Sequence, residues 1–354
     1  MLFRSVRHEP AFREIIGLIA AARRRAFQAV NTELIDLYWR VGEYIRRRID
    51  SAGWGKSTVL ELADFIRRHE PGVRGFSAQN LWRMRQFYEA WREQPKLSTL
   101  LRELSWSHNL LIVSRCKRPE EREFYLRSAA ASQWSFRELE QQMDKCLFER
   151  AVLSPPKLST VLRVLHPAAE AVFKDNYLLD FLDLPGTHSE RQLQKALVAN
   201  LKQFLIELGP DFCFAGEELR LSVGGTDFYL DLLFYHRGLQ CLIAFDLKIR
   251  KFEPEHLGKM EFYLEALDRD VKKPHERPSI GVLLCATKDD EVVNYSLNRS
   301  VSPALIAEYQ TRLPDKKLLQ RKLHEFYQLA LPTTERRKVR RKPKRVKSKR
   351  TKVK

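Results

Sequence analysis

Residues 242–248, Leu-Ile-Ala-Phe-Asp-Leu-Lys, set a carboxylate and an ammonium group at the end of a run that otherwise reads as a buried strand. Strand interiors are depleted in Asp, and a buried carboxylate without a partner is costly, so Asp246 must be paired with something. Side chains alternate along a strand, which puts Asp246 and Lys248 on one face and Cys241, Ile243, Phe245 and Leu247 on the other. Upstream, Phe228 to Tyr235 is a second strand rich in aromatic and apolar residues, and His236-Arg237-Gly238 is a turn leading into Leu239 to Leu247. The hairpin so formed brings Asp231 beside Asp246 and Lys248.

Two carboxylates and a lysine on neighbouring strands have two readings. In one, Asp246 and Lys248 form a same-face ion pair and Asp231 is an unrelated hydrogen-bonded acid. In the other, Asp231 and Asp246 supply the oxygen ligands that a hard divalent cation takes together with waters and phosphate oxygens. Lys248 would then orient or help deprotonate an attacking water, or stabilise charge on a phosphate. A third acid, Glu190, lies in the first turn of a helix opened by the capping-box pattern Ser189-x-x-Gln192. The stripe Leu193, Leu197, Leu201, Phe204 and Leu208 predicts that Glu190 projects inward along it, while an acid in a first turn also simply complements the helix dipole. Downstream, Pro254 and Glu255 open a helix with Leu257, Met260, Leu264 and Leu267 inward. Lys259 and Tyr263 share another face, four residues apart, within reach of a phosphate backbone or the hairpin acids. Ser279 to Ala286 then reads as a strand covered on both faces.

The chain resembles the YhcG group of nucleases in the PD-(D/E)XK superfamily. In the C-terminal part the likeness rests on Phe228-Tyr-Leu-Asp-Leu-Leu-Phe-Tyr-His-Arg-Gly, Leu242-Ile-Ala-Phe-Asp-Leu-Lys, Gly258-Lys-Met-Glu-Phe-Tyr-Leu and Leu284-Cys-Ala-Thr-Lys-Asp-Asp. In the N-terminal part it rests on Leu37-Tyr-Trp-Arg-Val-Gly, Gly75-Phe-Ser, Asn80-Leu-Trp-Arg-Met-Arg-Gln-Phe-Tyr and Leu104-Ser-Trp-Ser-His. The resemblance implies a restriction-endonuclease-like core in which Glu190, Asp231, Asp246 and Lys248 match the helix acid, the strand acid and the acid-x-lysine positions. It also implies Mg²⁺ or Mn²⁺ as cofactor, held by Asp231, Asp246 and Glu190, and a product bearing a 5′-phosphate. Two residues depart from the group's pattern: Asp246 stands where a glutamate is more usual, and Lys259 where a glutamine is common.

Charge and composition bound the rest. The 354 residues carry a formal +18, and Arg336 to Lys354 hold 13 Lys or Arg with no acid, which leaves +5 for the rest of the chain. Such a block cannot build a core and is expected to be a disordered basic arm, with Arg336, Arg337, Lys338, Arg340 and Arg341 among its contacts to nucleic acid. No apolar run is long enough to span a bilayer, and Met1 to Pro10 lacks the apolar centre of a signal peptide. Five cysteines without a Cys-x-x-Cys argue against a disulfide framework or a structural zinc. A reduced, cytoplasmic protein is expected. With no Gly-x-x-x-x-Gly-Lys loop, no nucleotide cofactor is expected. Self-association is left open.

Residues 1–150 read as helical. Apolar stripes fall at Phe12, Ile15, Ile16 and Ile19, at Leu34, Leu37, Tyr38, Val41 and Ile45, and at Val59, Leu62, Phe65 and Ile66. Ser77 then caps a helix with Leu81, Met84, Tyr88 and Trp91 inward. Two readings stay open: a helix-turn-helix with Asn80, Arg83 and Gln86 outward as nucleic-acid contacts, and a plain helical bundle. The expected organisation is a helical domain over 1–150, an interdomain linker over 151–179 marked by Ser154-Pro-Pro-Lys157, a nuclease-like domain over 180–333 and a basic tail over 334–354. The expected class is a two-domain α+β chain: an all-α N-terminal domain and a restriction-endonuclease-like α/β core, a mixed sheet flanked by helices. The expected function is Mg²⁺-dependent hydrolysis of phosphodiesters in nucleic acid, with DNA the expected substrate. The alternative is a non-catalytic nucleic-acid-binding or partner-docking protein on a lapsed nuclease fold.

Overall fold

The computed structural model describes residues 9–185, 187–312 and 315–330. They fall into two units, residues 1–144 and 145–354. No helix among the described residues is long and apolar enough to cross a membrane. The basic tail, including Arg336, Arg337, Lys338, Arg340 and Arg341, lies outside the described residues.

The first unit is built of helices: α1 (Glu9–Ala52), α2 (Lys56–His69), α3 (Ala78–Trp91), α4 (Ser98–Glu103), α5 (Trp106–Arg115), α6 (Pro119–Ala131) and α7 (Phe136–Asp144). The first two expected stripes share one helix of 44 residues, because the Ala- and Arg-rich stretch from Leu18 to Glu33 contains no Gly or Pro to break it. Among its described side chains, the buried ones lie in the C-terminal half. Ile35, Tyr38 and Ile45 enter the core, whereas Ile15, Ile16 and Ile19, expected inward, are exposed. Tyr38, Ile45, Val59, Leu81 and Met84 form a cluster flanked by Leu34, Val41, Leu62 and Trp106. Gly42 lets α1 and α3 touch backbone to backbone: a Cβ there would stand 2.2 Å from the Met84 carbonyl oxygen. Ser77 caps α3 as its sequence predicts, accepting the Asn80 N–H at 3.3 Å. The last helix of the unit ends at Asp144, just before Cys146 adopts φ +51°, and the unit boundary falls there.

The second unit runs α8 (Leu147–Leu153), α9 (Thr160–Leu165), α10 (Ala169–Val172), β1 (Asn176–Leu178), α11 (Glu190–Ala199), α12 (Leu201–Leu208), β2 (Phe212–Val223), β3 (Thr226–His236), β4 (Cys241–Lys251), α13 (Glu255–Ala266), β5 (Arg277–Thr287), α14 (Asp290–Asn298), β6 (Ala304–Gln310) and α15 (Lys316–Ala330). Its sheet has the order β1-β6-β5-β4-β3-β2. The strands β2, β3 and β4 pair antiparallel and β4, β5, β6 and β1 parallel, giving the expected mixed sheet. Cys241, Ile243, Phe245 and Leu247 face a core shared with Leu193 and Leu197 of α11 and Phe204 of α12. Leu242 and Ala244 face the opposite core with Met260 and Leu264 of α13. Burial on both faces explains the nearly continuous apolar run of β4 and β5.

Residues 151–179 are not a linker. Leu158, Leu162, Ala169, Phe173 and Tyr177 belong to the sheet's main core, and β1 adds an edge strand by parallel pairing with β6. A buried charge cluster fixes this segment. Glu207 accepts from Arg150 Nη1 at 3.2 Å and from the Leu178 N–H at 3.0 Å, with Lys174 Nζ 3.3 Å away. Burial pushes the Glu207 carboxyl up, but Lys174 and Arg150 outweigh it and hold it below the usual range. The closing helix α15 packs against α8.

Candidate active site

The pairing of β3 with β4 runs from His236↔Cys241 to Leu232↔Phe245 and then stops. The next residues are Asp231 and Asp246. Past this point the Leu247 N–H finds a side chain instead of a strand partner, donating to Oδ2 of Asp231 at 2.7 Å. The Asp231 carboxylate thereby stands in for a ladder carbonyl, satisfying a backbone donor that the parting strands leave behind. On the other side, buried Gln194 of α11 donates from Nε2 to the Asp231 carbonyl at 2.9 Å. Asp231 is therefore fixed from two elements, one of which had no motif to announce it. Gln194 shows in the sequence only as a polar residue between Leu193 and Leu197.

Asp246 is 1% exposed. Its Oδ2 lies 2.6 Å from Lys248 Nζ and its Oδ1 3.2 Å from Lys259 Nζ. Oδ2 is buried, and its one contact is the Lys248 ammonium. Lys248 Nζ reaches the Leu247 carbonyl at 3.3 Å. The expected same-face geometry of Asp246 and Lys248 is thus present, and α13 brings Lys259 to the same carboxylate. Burial raises the Asp231 carboxyl to about 6; the Leu247 N–H opposes this and neighbouring Asp246 adds to it. A raised carboxyl beside a second acid is the arrangement in which a cation is most stabilising.

Tyr263 is buried, and its hydroxyl donates to the Tyr229 carbonyl at 2.6 Å. It ties α13 to β3 rather than offering its hydroxyl to a ligand, and Lys259 Nζ lies 5.1 Å from its ring centroid. Burial raises the Tyr263 hydroxyl as well. Glu190, the first residue of α11, is exposed, contrary to the inward projection expected of it. The capping box of Ser189 and Gln192 forms, and the buried stripe begins only at Leu193. Among the described residues no hydrogen bond or ion pair joins Glu190 to Asp231, Asp246 or Lys248, although its charge is felt by Cys285 and Tyr309. Cys285 pairs in register with Lys248 on β4, and burial lifts its thiol to about 12. No group of three or more His, Cys, Asp or Glu among the described residues is arranged to hold a metal ion.

Of the residues expected to meet nucleic acid in the first unit, Arg83 and Gln86 are exposed. Asn80 turns inward, its amide donating to the Gly75 carbonyl at 2.5 Å and accepting from the Trp106 indole N–H at 3.0 Å. With both polar ends of its side chain engaged, Asn80 braces the α2–α3 turn.

Donor chemistry at the hairpin fits a hard divalent cation: two carboxylates on adjacent strands, one of them almost wholly buried. Residues 170–324 match the YhcG PDDEXK nuclease domain and residues 14–150 the DUF1016 N-terminal domain. The chain is 31% identical over 343 residues to "Putative nuclease YhcG" of Escherichia coli (strain K12), with 86% of this chain and 90% of that protein covered. Among solved structures, a repair endonuclease from Pyrococcus abyssi aligns with TM-score 0.25 and 14% identity, covering 37% of this chain and 50% of that one. An EndoMS–dsDNA2 complex aligns with TM-score 0.25 and 16% identity, covering 38% and 48%. This chain thus spans about half the length of each of those two structures, and likenesses so slight carry nothing about its chemistry. On the extent of its match to the Escherichia coli protein and to both domains, the chain belongs to the YhcG family, a PDDEXK nuclease domain joined to a DUF1016 N-terminal domain.

Proposed function

We propose that the second unit is a Mg²⁺-dependent nuclease that hydrolyses phosphodiester bonds of nucleic acid, with DNA as the substrate. The observation that carries this reading is the meeting of Asp231, Asp246 and Lys248 where β3 and β4 part. Asp231 and Asp246 would hold the cation, and Glu190, exposed at the start of α11, would assist through water. Bound there, Mg²⁺ or Mn²⁺ supplies Lewis-acid stabilisation of charge on the phosphoryl oxygens.

The chain's own residues divide the remaining work. Gln194 and the Leu247 N–H keep Asp231 from turning away. Lys248, held beside Asp246 on the same strand, is the ammonium that orients an attacking water and offers a positive charge to the phosphate. The basic segment from Arg336 to Lys354 adds a sequence-blind hold on phosphates, and Arg83 and Gln86 add contacts from the first unit. A product with a 5′-phosphate follows from the superfamily's chemistry.

The test is a substrate panel: purified protein with supercoiled, linear and branched DNA and with RNA, in Mg²⁺, Mn²⁺ or EDTA. Cleavage of DNA in either metal and none in EDTA is the expected result. Cleavage that persists in EDTA refutes the proposed centre, and DNA binding indifferent to metal and without cleavage favours the non-catalytic alternative.

A further inference from the structure

Asp231 and Asp246 face two ammonium groups, Lys248 and Lys259, so the cluster is already balanced in formal charge before any ion arrives. A divalent cation joins such a cluster readily only if one ammonium withdraws. The two lysines are not equally free to do so. The Lys248 side chain is 11% exposed, lies on the same strand as Asp246 and reaches the Leu247 carbonyl. The Lys259 side chain is 49% exposed, comes from a different element, α13, and meets Asp246 at the longer distance of 3.2 Å. Its flexible stem ends in a strongly hydrated charge, which while paired with Asp246 also lies 5.1 Å from the Tyr263 ring centroid. Asp246 itself is 1% exposed, so an ion reaching its carboxylate from water has to contend with the one partner that stands partly in water.

We infer that Lys259 is a tethered counter-ion: it neutralises Asp246 while no divalent cation is bound, and it must leave Asp246 when one binds, which sets how tightly the centre takes metal. This rests on the reading of Asp231 and Asp246 as the cation's ligands. Lys259 here acts on the cation's affinity, and no contact of it with substrate is invoked.

Calorimetric titration of Mn²⁺ alone, without nucleic acid, into the full-length protein and into Lys259→Met, Lys259→Gln and Asp246→Asn decides the matter, with a thermal melt of each variant to establish that it is folded. Methionine removes the charge and offers no oxygen, so Lys259→Met isolates displacement from any new ligation. The expected result is Mn²⁺ affinity raised about fivefold in both Lys259 variants, the scale of a partly exposed ion pair, and lost in Asp246→Asn. Unchanged or weaker affinity in Lys259→Met, with binding still lost in Asp246→Asn, overturns the counter-ion role and leaves the metal reading standing. Tightening in Lys259→Gln alone also overturns it, because the amide oxygen then acts as a ligand. Mn²⁺ binding that survives in Asp246→Asn, or is absent from every protein, overturns the metal reading and this inference with it.

Discussion

The Leu247 N–H donates to Asp231 Oδ2 at 2.7 Å, so one carboxylate of the candidate centre also closes the gap that opens between β3 and β4. Structure and chemistry therefore make competing demands on Asp231. As a backbone acceptor it can be neutral, and burial favours that; as a cation ligand it has to be charged. Its raised pKa, about 6, is the measure of that conflict in the absence of a cation.

Replacing Asp231 with Asn keeps an acceptor for Leu247 and removes the charge. The folded carboxyl sits near 6 against 3.8 for the free group, so the native state binds the proton more tightly. Its contribution is complete below about pH 4 and is lost as pH rises through 6. Asp231→Asn is expected to raise stability at pH 7.5 by on the order of 3 kcal/mol and to flatten the pH dependence between 4 and 7. Urea melts across that range, without divalent metal, provide the measurement; equal stability of the two proteins at pH 7.5 would count against a strained carboxylate.

Glu207 receives Arg150, Lys174 and the Leu178 N–H, with Glu207 and Arg150 buried. Glu207→Ala strands two cations, and a loss of about 3–5 kcal/mol is expected. Denaturant melts read it directly. A loss under 1 kcal/mol would mean that the segment from Leu147 to Leu178 is held by its apolar contacts alone.

Gly42 tests the first unit. A methyl group there meets the Met84 carbonyl at 2.2 Å, so Gly42→Ala must push α1 from α3 and is expected to cost about 1–3 kcal/mol. The thermal midpoint of the helical signal should fall accordingly, whereas an unchanged midpoint would show that α1 and α3 do not depend on this close approach.

Thirteen cations between Arg336 and Lys354 predict a steep salt dependence of nucleic-acid affinity. Deleting residues 336–354 should flatten the slope of log K against log salt by several units and leave cleavage present at low salt. An unchanged slope would move the binding surface elsewhere.

Much of the second unit was legible in the sequence because its signals are local. Period-two alternation through residues 241–248 assigned Asp246 and Lys248 to one face, and the turn at Arg237 fixed the hairpin. What escaped depends on distant partners. β4 stays paired with β5 after it has left β3, and neither the Leu247 bond to Asp231 nor the Gln194 clamp follows from spacing. Lys259 was visible on its helix face, but its distance to Asp246 depends on how α13 lies across the sheet. Glu190 is exposed because it stands in the first turn of α11, one turn before the buried stripe begins at Leu193. Residues 151–179 read as a linker because Pro155 and Pro156 outweigh Leu158, Leu162, Ala169 and Phe173, which are too widely spaced to show a period.

The most direct test of the proposed chemistry is the rate of supercoiled DNA cleavage in Mg²⁺ by Lys248→Met and Asp246→Asn, beside wild-type protein of equal purity and matched DNA binding. Each substitution is expected to lower the rate at least about a hundredfold while DNA affinity in EDTA changes little. Cleavage by either variant at the wild-type rate would contradict the assignment of Asp246 and Lys248 as the groups that cut.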